Sequence, residues 1–267
     1  MLLPGPIFAP HAHYTRRQFS ADREAVLAGL PAQGVVGVCE QSTHSGTAAQ
    51  ALALARRYDW MVCAVGIHPE SLIEEDAATR TVYGGDWRAE LKAMEPLFAD
   101  PKTVAVGECG LDHHWPIPAE EQYALFEAQI RLALELDKPI VVHDREAHAE
   151  VYELLKKYKP KGVLHCYSGS ADDALWIARQ GMLIGFGGSC TFKGAKRAVK
   201  AIQALGLESI VLETDCPYMA PEPVRGSRCD SGMIRHVGEF IAQHKGVSAD
   251  EVFRITCQNA HILYGLK

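Results

Sequence analysis

Six side chains able to bind a metal ion are scattered along the chain, each where an apolar run ends. They are His11 and His13 in PHAH, Glu108 in VAVGECG, His143 in IVVHD, His165 in VLHC and Asp215 in IVLETD. Imidazole nitrogens and carboxylate oxygens hold zinc, manganese or magnesium, and ions held this way activate water for hydrolysis. No thiolate belongs to the set, so ligand softness does not choose among the three metals. The HxH spacing places both imidazoles on one side of an extended strand. Glu108 closes an otherwise buried run, where a carboxylate is costly unless paired or metal-bound. A structural zinc needs four ligands and a catalytic one three plus water. Six donors, two of them carboxylates of a kind that can bridge ions, therefore suit two divalent ions better than one.

Side chains so far apart in sequence meet only if the fold gathers strand ends on one face. Eight β-rich runs are legible, at 6–11, 35–39, 61–67, 103–108, 140–143, 162–165, 183–187 and 209–213. Helical patterns alternate with them at 22–30, 46–58, 87–98, 120–136, 147–157, 171–179 and 193–205, and two more follow at 232–244 and 248–263. Strand, helix, strand in this rhythm indicates right-handed βαβ units. An open doubly wound sheet would bind its ligand at one switch point beside a glycine-rich first turn. No GxGxxG follows the first strand, whereas candidate ligands follow strands one, four, five, six and eight. The expected fold is therefore α/β, a single-domain (β/α)8 TIM barrel with extra C-terminal helices, its ligands on the C-terminal rim. The polar, poorly periodic stretch 70–86 is expected to be a long loop over that rim.

A chain of 267 residues with 48% hydrophobic and 22% charged residues can bury one large core. Its net charge of −6 argues against a broadly basic nucleic-acid clamp, so a phosphate-bearing substrate would need local cations or bound metal. No apolar run approaches the roughly 20 residues of a membrane span, and MLLPGPIFAPHAH lacks the features of a signal peptide. The expected location is cytoplasmic, with no membrane and no obligate protein partner. The eight cysteines form no CxxC pair and no framework spacing, and are expected to fill the core as reduced thiols. No internal repeat or linker divides the chain.

The motifs, in order, resemble those of the TatD-type metal-dependent deoxyribonucleases, within the amidohydrolase-like barrels. PHAH is similar to that family's HxH start and VGIHPE to its GxHP element. VGECGLD, PIVVHDREAH, LHCYSGS, GFGGSCTFK and LETDCPYMAP continue the match, as does VRGSRCDSGMIRHV through ITCQNAHILYGL. The resemblance implies that His11, His13 and Asp215 hold one ion, that His143 and His165 hold the other, and that Glu108 bridges them. It implies a deoxyribonuclease of the exonuclease type, with nucleic acid, DNA first, as substrate. The chain departs from the family pattern at Ala9 and Thr15, where Asp is common. It departs again at Cys229, Asp230 and Ser231, which replace Asn, Glu and Pro, and at His113 and His114, where Tyr is usual. These departures touch substrate contacts more than metal binding.

In the corresponding mechanism a metal-activated water attacks phosphorus in line. Asp215 would ligate an ion and accept the water's proton. His68, before Pro69, would bind phosphate or neutralise the leaving group, or else serve as a hydrogen-bonded turn residue. Arg145 would hold a phosphate oxygen in a forked contact or make a plain salt bridge. Gly187, Gly188 and Lys193 lie where barrels bind phosphate, and Arg225 and Arg228 are further cations for a polyanion. Glu213 would orient ligands, and His113 and His114 are expected to be exposed loop residues. Two other readings compete. One is an amidohydrolase-type hydrolase of a small amide or ester, disfavoured because the strand-four position that often carries a bridging Lys in such barrels holds Glu108. The other is a non-catalytic metal-binding scaffold, disfavoured because all six ligands are kept.

Overall fold

Each of the eight apolar runs forms a strand, and the strands follow one another through a single sheet in chain order. The computed structural model describes residues 5–266. The leading MLLP, part of the segment read above for targeting signals, lies outside them. The chain divides into two compact units, Met1–Cys39 with His165–Lys267 and Glu40–Leu164. Strand β2, Val35–Gln41, contributes to both.

In the unit Glu40–Leu164, strands β3 (Met61–Val65), β4 (Thr103–Asp112), β5 (Ile140–Arg145) and β6 (Gly162–Leu164) pair in parallel. Val65 lies opposite Val106, Gly110 opposite His143, and Val142 opposite Leu164. Parallel strands are covered on both faces, which is why they read as unbroken apolar runs rather than alternating ones. Helix α2 (Ser45–Ala55) opens on a capping box: the His44 Nδ1 accepts from the Gly46 amide at 3.1 Å and the His44 amide donates to the Thr47 hydroxyl at 3.0 Å.

The stretch 70–86 differs from the expected loop. It contains a 3-10 turn, Pro69–Leu72, and the one-turn helix α3 (Ala78–Thr81), with Ala77, Ala78 and Thr79 buried. A single turn is too short to show helical periodicity. Helix α4 (Trp87–Met94) is capped by the Asp86 carboxylate, and it tightens into a 3-10 turn at Glu95–Ala99, where Pro96 has no amide to continue it. Helices α5 (Ala119–Glu135) and α6 (His148–Tyr158) complete this unit. Buried Gln129 on α5 makes a two-way bond to the Ile67 amide and carbonyl, at 2.8 and 2.9 Å, pinning the segment that leads into His68.

In the other unit, β1 (Ile7–Ala12) lies beside β8 (Ile210–Leu212), and β7 (Leu183–Phe186) pairs in parallel with β8. Past the strand ends, the His13 amide donates to the Cys216 carbonyl at 3.0 Å and the Thr214 hydroxyl to the His11 carbonyl at 3.3 Å. Helices α1 (Arg23–Gly29), α7 (Ala171–Arg179) and α8 (Lys196–Ala204) follow the βα rhythm. The two C-terminal helices, α9 (Ile234–Lys245) and α10 (Ala249–Leu263), pack onto β1 and β8. Asn259 of α10 donates to the carbonyls of Leu207 and Ile210, and Tyr264 to that of Pro10. Eight strands in chain order, with helical crossovers and β8 returning to β1, make this the (β/α)8 TIM-barrel fold.

All eight cysteines are free thiols, and all but Cys166 are buried. Burial pushes the Cys63 thiol up to about 12, as befits a side chain that fills the core. Among the described residues, no helix is long and apolar enough to cross a membrane.

Candidate metal centre

Three donor atoms converge at the end of β1. The Nε2 atoms of His11 and His13 are 3.1 Å apart, and the Asp215 Oδ1 lies 3.6 Å from the first and 3.3 Å from the second. His11 is inside the strand and His13 one residue past it, so the HxH spacing acts as the strand period requires. Asp215 stands three residues past β8, fixed by a turn in which the Tyr218 amide donates to its carbonyl at 2.8 Å. Burial opposes ionisation of Asp215, but the hydrogen bond and charge of His13, with His11 and His165 behind it, hold the carboxyl below its usual value. The His165 ring stacks on His11 with centroids 3.9 Å apart, and its Nδ1 lies 3.9 Å from the Glu213 Oε1. Glu213 also accepts a short bond from the Cys166 amide. Its carboxylate has room because residue 185 is glycine; a Cβ there would sit 2.7 Å from the Glu213 Oε1.

A second cluster forms in the unit Glu40–Leu164. Glu108 Oε1 is 3.2 Å from the His143 Nδ1 and 3.5 Å from the His68 Nε2, and the rings of His68 and His143 meet edge to face at 4.3 Å. Glu108 lies within β4 rather than at its end, since the strand continues to Asp112. His68 serves as the hydrogen-bonded turn residue, its Nδ1 accepting from the Glu70 amide at 3.2 Å, and its Nε2 faces the Glu108 Oε1. The residue that sequence reasoning missed is Asp112. It is buried, and its Oδ2 lies 3.1 Å from the His143 Nε2. The expected strand ended at residue 108, so no strand period reached Asp112, which the structure places at the end of β4. Burial disfavours a proton on His143, yet the bonds and charges of Asp112 and Glu108 overcome that and raise its pKa to about 10. Burial likewise opposes ionisation of Asp112, but His143 outweighs it and holds the carboxyl below its usual value.

Both clusters fit a divalent cation. Nitrogen and oxygen donors face one another at ligand-like spacing, carboxylates are present to balance charge, and no thiolate intrudes.

The expected substrate contacts are exposed. Arg145 ends β5, with its guanidinium carbon 5.9 Å from the Trp115 ring centroid. Lys193 is solvent-facing, and Arg225 lies over the Phe192 ring at 4.1 Å. Arg228 is engaged instead by a forked pair with Asp22, at 2.8 and 2.6 Å. Gly187 and Gly188 are buried, and a Cβ on Gly188 would strike the Met219 carbonyl, so the close approach there is to the chain's own backbone. His114 is exposed, as expected, and pairs with Glu146 at 3.0 Å, while His113 is half-buried against Glu150.

The departures are structurally absorbed. Ala9 is buried in β1 and the Thr15 carbonyl accepts from Arg23. Cys229 is buried, Asp230 caps the turn Ser231–Met233, and Ser231 exchanges two bonds with the buried Tyr14 hydroxyl, both 2.8 Å.

A family model described as "TatD related DNase" matches residues 10–265. The chain belongs to that family. Like the TatD family at large, it is a metal-dependent hydrolase acting on ester bonds. The chain is 34% identical to the "Uncharacterized metal-dependent hydrolase YabD" of Bacillus subtilis, with 97% of this chain and 98% of the relative covered. It is 31% identical to the "3'-5' ssDNA/RNA exonuclease TatD" of Erwinia tasmaniensis, covering 94% and 97%. Among solved structures, the TatD homologue YJJV of Escherichia coli superposes with a TM-score of 0.87 at 28% identity, covering 98% of each chain.

Proposed function

We propose that this protein is an exonuclease that hydrolyses phosphodiester bonds of single-stranded nucleic acid, DNA first, using two divalent ions. The observation that carries the reading is the convergence of His11, His13 and Asp215 on one point, in a chain of the TatD-related DNase family. His11, His13, Asp215 and His165 would supply ligands, as would Glu108 and His143. Such ions supply Lewis-acid chemistry, making water a nucleophile near neutral pH and offsetting charge on phosphoryl oxygens.

The chain's own groups supply the rest. Asp215, whose carboxyl is held below its usual value by the neighbouring His13, can accept the attacking water's proton and become neutral in doing so. His68, beside Glu108, is placed to stabilise a phosphate oxygen or the leaving group. Asp112 and Glu213 orient imidazoles, as carboxylates beside metal-binding histidines do. The exposed cations Arg145, Lys193 and Arg225 offer local positive charge on a chain whose net charge is −6. The name of the Erwinia relative, a 3'-5' ssDNA/RNA exonuclease, supports the substrate class and the exonuclease mode.

The test is to strip the protein of metal and incubate it with an end-labelled single-stranded oligonucleotide plus Mg²⁺, Mn²⁺ or Zn²⁺ in turn. Stepwise shortening in at least one of them is expected. No cleavage with any metal, together with turnover of an N-acyl compound, would replace this reading with an amidohydrolase-type one.

A further inference from the structure

Trp115 is out of place for a residue of its kind. Tryptophan is usually well buried, yet 45% of Trp115 is exposed, in the loop that leaves β4 after Asp112. Six large apolar side chains are exposed among the described residues, and Trp115 and Tyr218 are the aromatic ones. Each stands three residues after a carboxylate of a donor cluster, Trp115 after Asp112 and Tyr218, 43% exposed, after Asp215. Core packing has no reason to leave aromatics open at these two points.

The Trp115 loop is anchored. The His114 amide donates to the Asp112 Oδ1 at 2.9 Å, and the His113 amide donates to the Arg145 carbonyl, also at 2.9 Å. The His114 ring meets the Trp115 ring edge to face at 4.9 Å and is itself tied to Glu146. Arg145 stands beside the same indole, at the outer limit of a cation–π contact. One carboxylate thus links the two features, since the other oxygen of Asp112 holds His143.

Resting on the nuclease reading above, we propose that Trp115 is a stacking platform for an unpaired base of the substrate, with Arg145 beside it to hold the adjoining phosphate. An indole presents a flat apolar face that any base can cover, and a guanidinium grips phosphate through a fork of donors. Bases in a duplex are already stacked on their neighbours and gain little from such a platform. Trp115 therefore favours single strands and frayed ends, without regard to base identity, and acts as a positioning residue.

Metal-loaded wild-type, Trp115→Ala and Trp115→Phe proteins are compared on a single-stranded oligonucleotide and on a base-free aryl phosphodiester. Trp115→Ala is expected to lower the oligonucleotide-to-aryl ratio of kcat/KM by about tenfold, mainly through KM, and Trp115→Phe to restore most of it. Anisotropy of a labelled phosphorothioate oligonucleotide gives a readout independent of turnover, and its Kd is expected to rise by a similar factor in Trp115→Ala. A ratio and a Kd that match wild type in Trp115→Ala would overturn the platform while leaving the nuclease intact. A wild-type protein that cleaves no nucleic acid with any metal would overturn the nuclease reading, and the platform with it.

Discussion

The Asp112 Oδ2 lies 3.1 Å from the Nε2 of His143, while the opposite nitrogen of the same ring faces the Glu108 Oε1 at 3.2 Å. A carboxylate on one nitrogen sets the orientation of the ring and, with it, the direction in which the opposite nitrogen points toward Glu108. Asp112→Asn keeps the size of the side chain and removes its charge. Metal affinity is expected to fall by about 10- to 100-fold, measured by calorimetric titration of the metal-stripped protein. Unchanged affinity would mean that Asp112 serves only the loop it also anchors.

Asp215 is the carboxylate at the centre of the other cluster. Asp215→Ala should remove both a ligand and the acceptor for the water's proton. Oligonucleotide cleavage at saturating metal is expected to drop by at least about 100-fold, with the far-ultraviolet circular dichroism of the folded protein retained. Residual activity within a few-fold of wild type would exclude the role.

Glu108 faces two imidazoles from within β4. In Glu108→Ala, bound metal measured by atomic emission and cleavage rate are both expected to fall. Survival of both would take Glu108 out of the site.

Tyr14 tests the absorbed departures. Its hydroxyl donates to the Ser231 Oγ and accepts from the Ser231 amide, and both residues are fully buried. Tyr14→Phe leaves that amide without its acceptor, and urea unfolding should show a loss of about 1–3 kcal/mol. The Ser231→Ala change, which leaves the amide bond in place, should cost less.

Acid sensitivity has an identifiable contributor on helix α5. Glu127 accepts bonds from Lys157 and Tyr158, which lower its carboxyl from 4.5 to about 2. A carboxyl depressed in the folded state stabilises that state fully above its unfolded value, and the contribution is lost as pH falls through the folded one. Screening by solvent keeps the effect to about 0.5–1 kcal/mol. Glu127→Gln should therefore unfold at lower urea than wild type at pH 7, and the gap should shrink as pH is taken from 4.5 toward 2.

Much of the fold was legible because parallel strands bury both faces and so announce themselves as apolar runs. The start of β3 at Met61 and of β4 at Thr103 agree with the reading, as does helix Ala171–Arg179. Ends were less legible. β4 runs four residues beyond Glu108, and the polar stretch 70–86 hides α3, because one turn carries no period. The candidate donors were legible as residue types at strand ends, but Asp112 was not. A carboxylate after GL resembles a loop residue until His143 is seen beside it.

By itself the sequence determined the order of strands and helices and the family, and it marked six candidate donors as residue types at strand ends, since each rests on local pattern or on motifs read in order. Tertiary structure alone decided which donors face which: His13 and His11 on Asp215, His143 between Glu108 and Asp112, His165 against His11 and Glu213. It also decided that Arg228 is occupied by Asp22, whereas Trp115 remains open beside Arg145. The physical reason is range. Hydrophobic period and turn chemistry act over a few neighbouring residues. A hydrogen bond or ion pair acts within a few ångströms of space, between atoms that the chain brings together only once it has folded.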